Sequence, residues 1–153
     1  MPLTASVMCK KRESMKDILK SYLRNQMEKR EFSEAISRVE NLENSIGRTL
    51  YLKLKHGDKK SALKYFQSLN DCSVCGPVFT DDLAHSKRIR ELIDSLESSG
   101  EIERTDKPEW YVGYLSNRNP YGAQGFYVCV KCGSIIDVCE PERMYRGCAE
   151  VVG

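Results

Sequence analysis

The chain has 153 residues, of which 41% are hydrophobic and 30% charged, with a formal net charge of +2. These values suit a soluble globular protein of one ordinary domain, or two small ones that need help with their cores. No apolar run approaches the roughly 18 residues that a membrane-spanning helix requires, so a membrane partner is not expected.

The first stretch, MPLTASVMCKKR, places its apolar residues before its basic ones and is too short for a signal peptide. It reads as a flexible tail over residues 1–14, with Met8 and Met15 as alternative starts. The expected location is therefore the cytoplasm, where disulfides are uncommon. Residues 1–71 hold 15 Lys+Arg against 9 Asp+Glu, a net +6, whereas residues 72–153 hold 9 against 13, a net −4. A basic first half suits an acidic partner or RNA, and the acidic second half does not look like a DNA-binding face. Solvated helix surface is the plainer account of both.

Four helices are expected over residues 15–70, forming a helical bundle. Met15, Ile18, Leu19, Tyr22, Leu23 and Met27 recur at helical spacing over 15–29. The triplet at 30–32 breaks that stripe. Ser33 can then cap a second helix that turns Ala35, Ile36, Val39, Leu42 and Ile46 inward and stops at Gly47. A third segment, 48–56, is apolar at Leu50, Tyr51 and Leu54. After a Gly57–Asp58 turn, a fourth helix over 59–70 buries Ala62, Leu63, Phe66 and Leu69. The stretch REFSEAISRVENL at 30–42 aligns with GDKKSALKYFQSL at 57–69, a period of 27 residues. The second copy resembles the second helix of a tetratricopeptide repeat, which implies a helical-hairpin module that binds protein. The period is shorter than the family's, and the large aromatic and glycine of its first helix are missing. Ordinary helix-packing periodicity explains the same pattern.

The second half has a different grammar. NDCSVCGPVF at 70–79 is rich in turn formers. Residues 80–100 contain a helix with Ile89, Leu92, Ile93 and Leu96 inward, stopped at Gly100. Residues 100–115 read as strand, turn at Asp106–Lys107–Pro108, and strand. A loop follows at 116–125, then a strand hairpin over 125–139 around a cysteine turn.

Seven cysteines are many for a chain of this length in a reducing compartment, where metal binding is the better reading. Cys72-Ser73-Val74-Cys75-Gly76 and Cys129-Val130-Lys131-Cys132-Gly133 share one pattern. Two intervening residues let both sulfurs point at one ion about 2.3 Å away, and a following glycine permits the backbone twist that keeps N–H groups aimed at the thiolates. The two turns resemble the knuckles of a zinc ribbon, which implies a structural Zn2+ held by Cys72, Cys75, Cys129 and Cys132. Fifty-three residues lie between Cys75 and Cys129, more than in a compact ribbon. Loop-closure cost grows slowly enough with length to tolerate that. Three alternatives stand beside this set: a local site of Cys129, Cys132, Cys139 and Cys148, a redox dithiol, and plain buried thiols. Iron is a chemical alternative to zinc for four thiolates.

The helix, the Ser99-Gly100-Glu101-Ile102 segment and the expected hairpin ending in Trp110, Val112 and Tyr114 resemble the recognition helix and wing of a winged-helix domain. That resemblance covers about a quarter of the chain and implies DNA contacts by His85, Ser86, Lys87 and Arg90. The same surface carries Glu91, Asp94, Glu97, Glu101, Glu103, Asp106 and Glu109, which oppose binding to a polyanion. Trp110, Tyr111, Tyr114, Tyr121, Phe126 and Tyr127 concentrate aromatics that can stack on single-stranded nucleic acid, anchor a protein partner or form a core. Neither histidine sits in a metalloprotease arrangement, and no phosphate loop or placed nucleophile is visible.

The expected fold is α+β: N-terminal helical hairpins, then a zinc-stitched helix plus small antiparallel sheet over residues 71–153. The expected function is non-enzymatic: a zinc-stabilised protein-binding module of the inhibitor, antitoxin or immunity type. Its candidate contacts are His85, Lys87, Arg90, Trp110 and Tyr121. A zinc-containing winged-helix transcription regulator that binds DNA is the alternative, and an RNA-associated factor using the basic helices comes third.

Overall fold

A computed structural model of the chain describes residues 14–76, 89–111, 124–139 and 148–153. Among these residues lie six helices and one four-stranded antiparallel sheet, so the protein is α+β with its sheet in the C-terminal half. The candidate contacts His85, Ser86, Lys87 and Tyr121 lie outside the described residues.

Helix α1 (Met15–Leu23) begins at Ser14, whose hydroxyl accepts from the Asp17 N–H at 3.2 Å. Its apolar stripe buries Ile18, Leu19, Tyr22 and Leu23. It ends earlier than the stripe predicts, because Asn25 adopts a left-handed conformation (φ 57°) that no helix can continue through. Helix α2 (Lys29–Arg38) starts ahead of Ser33, so Ser33 is an interior residue and not the expected cap. The earlier start brings Phe32 into the core, where its ring stacks on Tyr22 at 4.0 Å. The expected continuous helix to Gly47 is broken. Val39 is extended (ψ 119°) and Asn41 is left-handed, so Leu42–Ile46 forms a separate short helix, α3.

Helix α4 (Arg48–Lys55) buries Leu54, and α5 (Lys59–Ser68) buries Ala62, Leu63 and Phe66. Asp58 caps α5 by accepting from the Ser61 N–H and hydroxyl. The internal likeness of 30–42 to 57–69 holds at Ile36 and Leu63, both buried, and stops at Val39. That residue has left the helix where its counterpart Phe66 remains in it. Helix α1 packs on α2 and α5, and α4 packs on α2, α3 and α5.

Helix α6 (Ile89–Ser98) buries Ile89 and Ile93 and packs on strand β1 (Ile102–Thr105), with Gly100 at φ 78° making the turn between them. The sheet continues through β2 (Gln124–Cys129), β3 (Ile135–Cys139) and β4 (Cys148–Val151), in the order β1-β2-β3-β4. The β2–β3 hairpin around the cysteine turn is the one expected. The partner of β1 is not: Ile102 lies opposite Cys129 and Thr105 opposite Phe126. Trp110 sits in a turn closed by the Tyr111 N–H on Pro108 O at 3.1 Å, so it does not begin a second wing strand. Val112 and Tyr114 lie outside the described residues. Strand β4 gave no clear signal in the sequence.

One cluster of buried residues includes Leu19, Phe32 and Phe66 from the helices and Ile93, Ile102, Ile136 and Val151 from α6 and the sheet. Gln67 of α5 ties the two parts further, donating to Val151 O at 3.0 Å. Among the described residues no helix is long and apolar enough to cross a membrane.

Candidate metal centre

Both C-x-x-C-G segments fold into the same turn. The Gly76 N–H donates to Cys72 O at 2.9 Å, and the Gly133 N–H donates to Cys129 O at 2.7 Å. The second turn joins β2 to β3 and is closed further by the Cys129 N–H on Ser134 O at 2.9 Å. Gly133 has φ 76°, as the pattern leads one to expect. Gly76 does not share that conformation, so only the second turn depends on a left-handed glycine.

The turns face each other. The sulfurs of Cys72 and Cys129 are 3.7 Å apart, those of Cys75 and Cys132 3.4 Å, and all four lie within 4.8 Å of one another. Four thiolates about 2.3 Å from a central ion define a tetrahedron with edges of roughly 3.8 Å, so the observed pairs stand close to that geometry. Cys72, Cys75 and Cys129 are buried and Cys132 is partly buried. The four cysteines could therefore hold a metal ion with little rearrangement.

Burial and hydrogen bonding act unequally on the four thiols. Burial raises Cys72, but the backbone N–H groups of Cys75 and Val74 and the neighbouring thiols more than offset it and leave its pKa lowered. Burial likewise raises Cys132. The hydroxyl and N–H of Ser134, with the Cys75 and Cys129 thiols, bring it down to about 6. Ser134 is fully buried and its hydroxyl makes no hydrogen bond of ordinary geometry, so it acts on Cys132 as a nearby dipole. Burial keeps Cys75 and Cys129 raised. Each close pair thus joins one more acidic and one less acidic sulfur, and a divalent ion would displace the protons that remain.

Groups around the sulfurs hold them in place. Asn70 donates through Nδ2 to the Cys75 sulfur at 3.3 Å, and its Oδ1 accepts from the Cys72 N–H at 3.1 Å. Lys131 of the second turn donates to the Ser73 hydroxyl of the first. Helix α1 lays Lys16, Lys20 and Arg24 along the centre at i, i+4 and i+8. Lys16 reaches Asn70 Oδ1 at 3.4 Å and Asp71 at 3.7 Å. Lys20 donates to Cys132 O at 3.0 Å, and Arg24 donates to Gly133 O at 2.7 Å and Gly153 O at 3.1 Å. Burial lowers the pKa of both Lys20 and Arg24, and the Cys132 thiolate offsets part of that cost. Four thiolates around a divalent ion would carry a net −2, which this basic stripe would offset. The sequence marks α1 by its apolar stripe and the first half by its basic charge, without placing these three cations at the cysteine turns. The i, i+4, i+8 spacing of its three cations was the available signal.

Cys139 is not part of this group. It lies four residues past Ile135 at the far end of β3, roughly 13 Å along the strand, opposite Cys148 in register. The local set with Cys139 and Cys148 is therefore not the one assembled. Cys132 leads into β3 and not into a helix, so it lacks the helix N-terminus that favours a redox dithiol.

Of the nominated partner contacts that are described, Arg90 is exposed on α6. Trp110 is partly buried, with the Arg24 guanidinium 5.7 Å from its ring centre and Tyr111 packed edge-on beside it. Tyr111 is buried, and its hydroxyl donates to the buried Asp137 at 2.7 Å. Comparison with known protein families, with characterised proteins and with solved structures finds no match for this chain.

Proposed function

We propose that Cys72, Cys75, Cys129 and Cys132 hold one structural zinc ion, and that the protein works without catalysis, as a zinc-stabilised module that binds another protein. The observation that carries the metal assignment is the gathering of four sulfurs within 4.8 Å from two turns far apart in sequence. Zinc suits four thiolates with tetrahedral spacing. A closed set of four leaves no coordination position for water or substrate, so the ion serves the fold. The one described histidine, His56, is exposed and offers no buried base.

Zinc analysis of the purified protein, with cobalt substitution, tests the assignment. One zinc per chain and the visible bands of tetrahedral cobalt–thiolate coordination are expected. A red protein with one iron per chain would replace zinc by iron, and a folded protein that takes up neither would overturn the metal reading. The binding role follows from the small size, the closed centre and the unequal charge of the two halves, and it suits an inhibitor, antitoxin or immunity-type protein. Cross-linked affinity capture from the native host checks it. A single protein recovered in stoichiometric amount supports the role. Binding to duplex DNA that falls steeply with salt supports the winged-helix regulator instead.

A further inference from the structure

A second surface stands apart from the metal centre. Residues 48–64 carry six cations (Arg48, Lys53, Lys55, Lys59, Lys60 and Lys64) and a single carboxylate, Asp58. That carboxylate is committed to capping α5. Two of the cations are also engaged. Lys59 is turned inward onto the Tyr22 ring at 3.6 Å, and Lys55 lies over the Tyr51 ring.

The remaining four line an open cleft of about 680 Å³ between α4 and α5. This volume lies within the ~300–1,000 Å³ typical of ligand clefts. Arg48 pairs with Glu43 at 3.6 Å. Lys53, Lys60 and Lys64 are exposed and form no ion pair within 4.0 Å among the described residues; Asp58, which also lines the cleft, acts on Lys53 and Lys60 through space and leaves the lining net positive. Between these charges, Ile46, Leu50 and Tyr65 supply partly buried apolar surface.

We infer that this cleft binds an acidic segment of the partner protein, with an apolar side chain against Ile46, Leu50 and Tyr65 and carboxylates on Lys53, Lys60 and Lys64. The inference rests on the protein-binding reading above and names the chemistry of the partner. Charge complementarity selects an acidic ligand. The aliphatic part of the lining, Ile46 and Leu50, favours a peptide side chain, whereas a nucleic-acid strand would gain from it chiefly by stacking on Tyr65. A long polyanion needs cations tracked along an extended surface. Here they are confined to one cleft, while the exposed face of α6, β1 and the following turn bears Glu91, Asp94, Glu97, Glu101, Glu103, Asp106 and Glu109.

The test is fluorescence anisotropy on the whole zinc-loaded protein with three labelled probes: a glutamate-rich 12-residue peptide with central leucine and phenylalanine, the same peptide with serine at those positions, and a single-stranded RNA of equal charge. The anchored peptide is expected to bind saturably, at least tenfold tighter than the serine version, and more weakly as salt screens the lysines. The triple variant Lys53→Glu, Lys60→Glu, Lys64→Glu should lose about tenfold or more. The milder Lys→Gln set at the same positions should lose less and controls for folding, with an unchanged circular dichroism spectrum. Equal binding of the serine peptide, tighter binding of the RNA, or undiminished binding by both variants would overturn the inference. Repeating the cross-linked capture with the Lys→Glu triple variant separates the two readings. A partner retained by it leaves protein binding standing and removes the cleft. A partner missed by wild type and variant alike removes the binding role itself.

Discussion

Replacing Cys72 by serine should unfold the same part of the molecule as replacing Cys129, although 57 positions separate them. The sulfurs already stand 3.4 and 3.7 Å apart in pairs, close to tetrahedral edges, so little of the metal's binding energy is lost to reorganisation. A serine oxygen is a shorter and harder donor than a thiolate and leaves the ion with three ligands. On the proposed zinc assignment, zinc at 100 to 1,000 times its dissociation constant would stabilise the fold by ~2.7–4.1 kcal/mol, and that is the amount a lost ligand would forfeit. For a chain of this size each kcal/mol moves Tm by ~2–4 °C, so a fall of about 5–16 °C is expected. The assay is thermal unfolding followed by circular dichroism, with zinc released at the transition read by a colorimetric chelator. Cys72→Ser, Cys75→Ser, Cys129→Ser and Cys132→Ser should agree, and none should fall further when a chelator is added. A normal Tm with one zinc retained in the Cys72 and Cys75 variants, against loss in the downstream pair, would refute a centre shared between the two turns.

The other consequences are smaller and separable. Arg24→Met removes charged donors to Gly133 O and Gly153 O. It should cost ~1.5–3 kcal/mol in urea unfolding while zinc content stays at one per chain. Gly133→Ala should cost ~1–2 kcal/mol because φ 76° is left-handed, whereas Gly76→Ala, whose added carbon meets Asn70 O at 3.4 Å, should cost less; parallel denaturation curves decide. Asp58→Ala should cost ~1 kcal/mol through loss of the α5 cap. The Ser61 hydroxyl and N–H hold the Asp58 pKa below its ordinary 3.8. Its contribution is therefore complete above that value and lost as pH falls through the lowered one. The variant should show a flatter acid limb in stability measured from pH 6 down to pH 2.

What the sequence made legible was local chemistry. The C-x-x-C-G spacing carried its own geometry, because two residues between cysteines set where both sulfurs point. The Gly57–Asp58 turn and the stripe of α5 were readable for the same reason. Phe32 was missed because it stands among Arg30, Glu31 and Ser33, and only the left-handed Asn25 shifts the next helix early enough to bury it. Helix α3 separated from α2 for a similar reason: Asn41 bends the chain, and no apolar period records that bend. The pairing of β1 with β2 is set by contacts beyond an intervening loop, and the nearer segment 109–115 had an equally good alternating pattern. The cationic stripe of α1 was visible as letters, but its meaning depended on where the second knuckle comes to rest.

The separation of the two knuckles along the chain also sets a clock. A ribosome adding 5–20 residues per second reaches the second knuckle about 3–11 s after the first. During that interval Cys72 and Cys75 are a finished half of a site with no opposing thiols, and Lys16, Lys20 and Arg24 have no counter-charge to settle on. The nascent protein thus spends seconds as a helical segment carrying two accessible thiols, open to oxidants and to competing soft metals. That vulnerability would belong to its synthesis, and would close once the second knuckle has left the ribosome and folded onto the first.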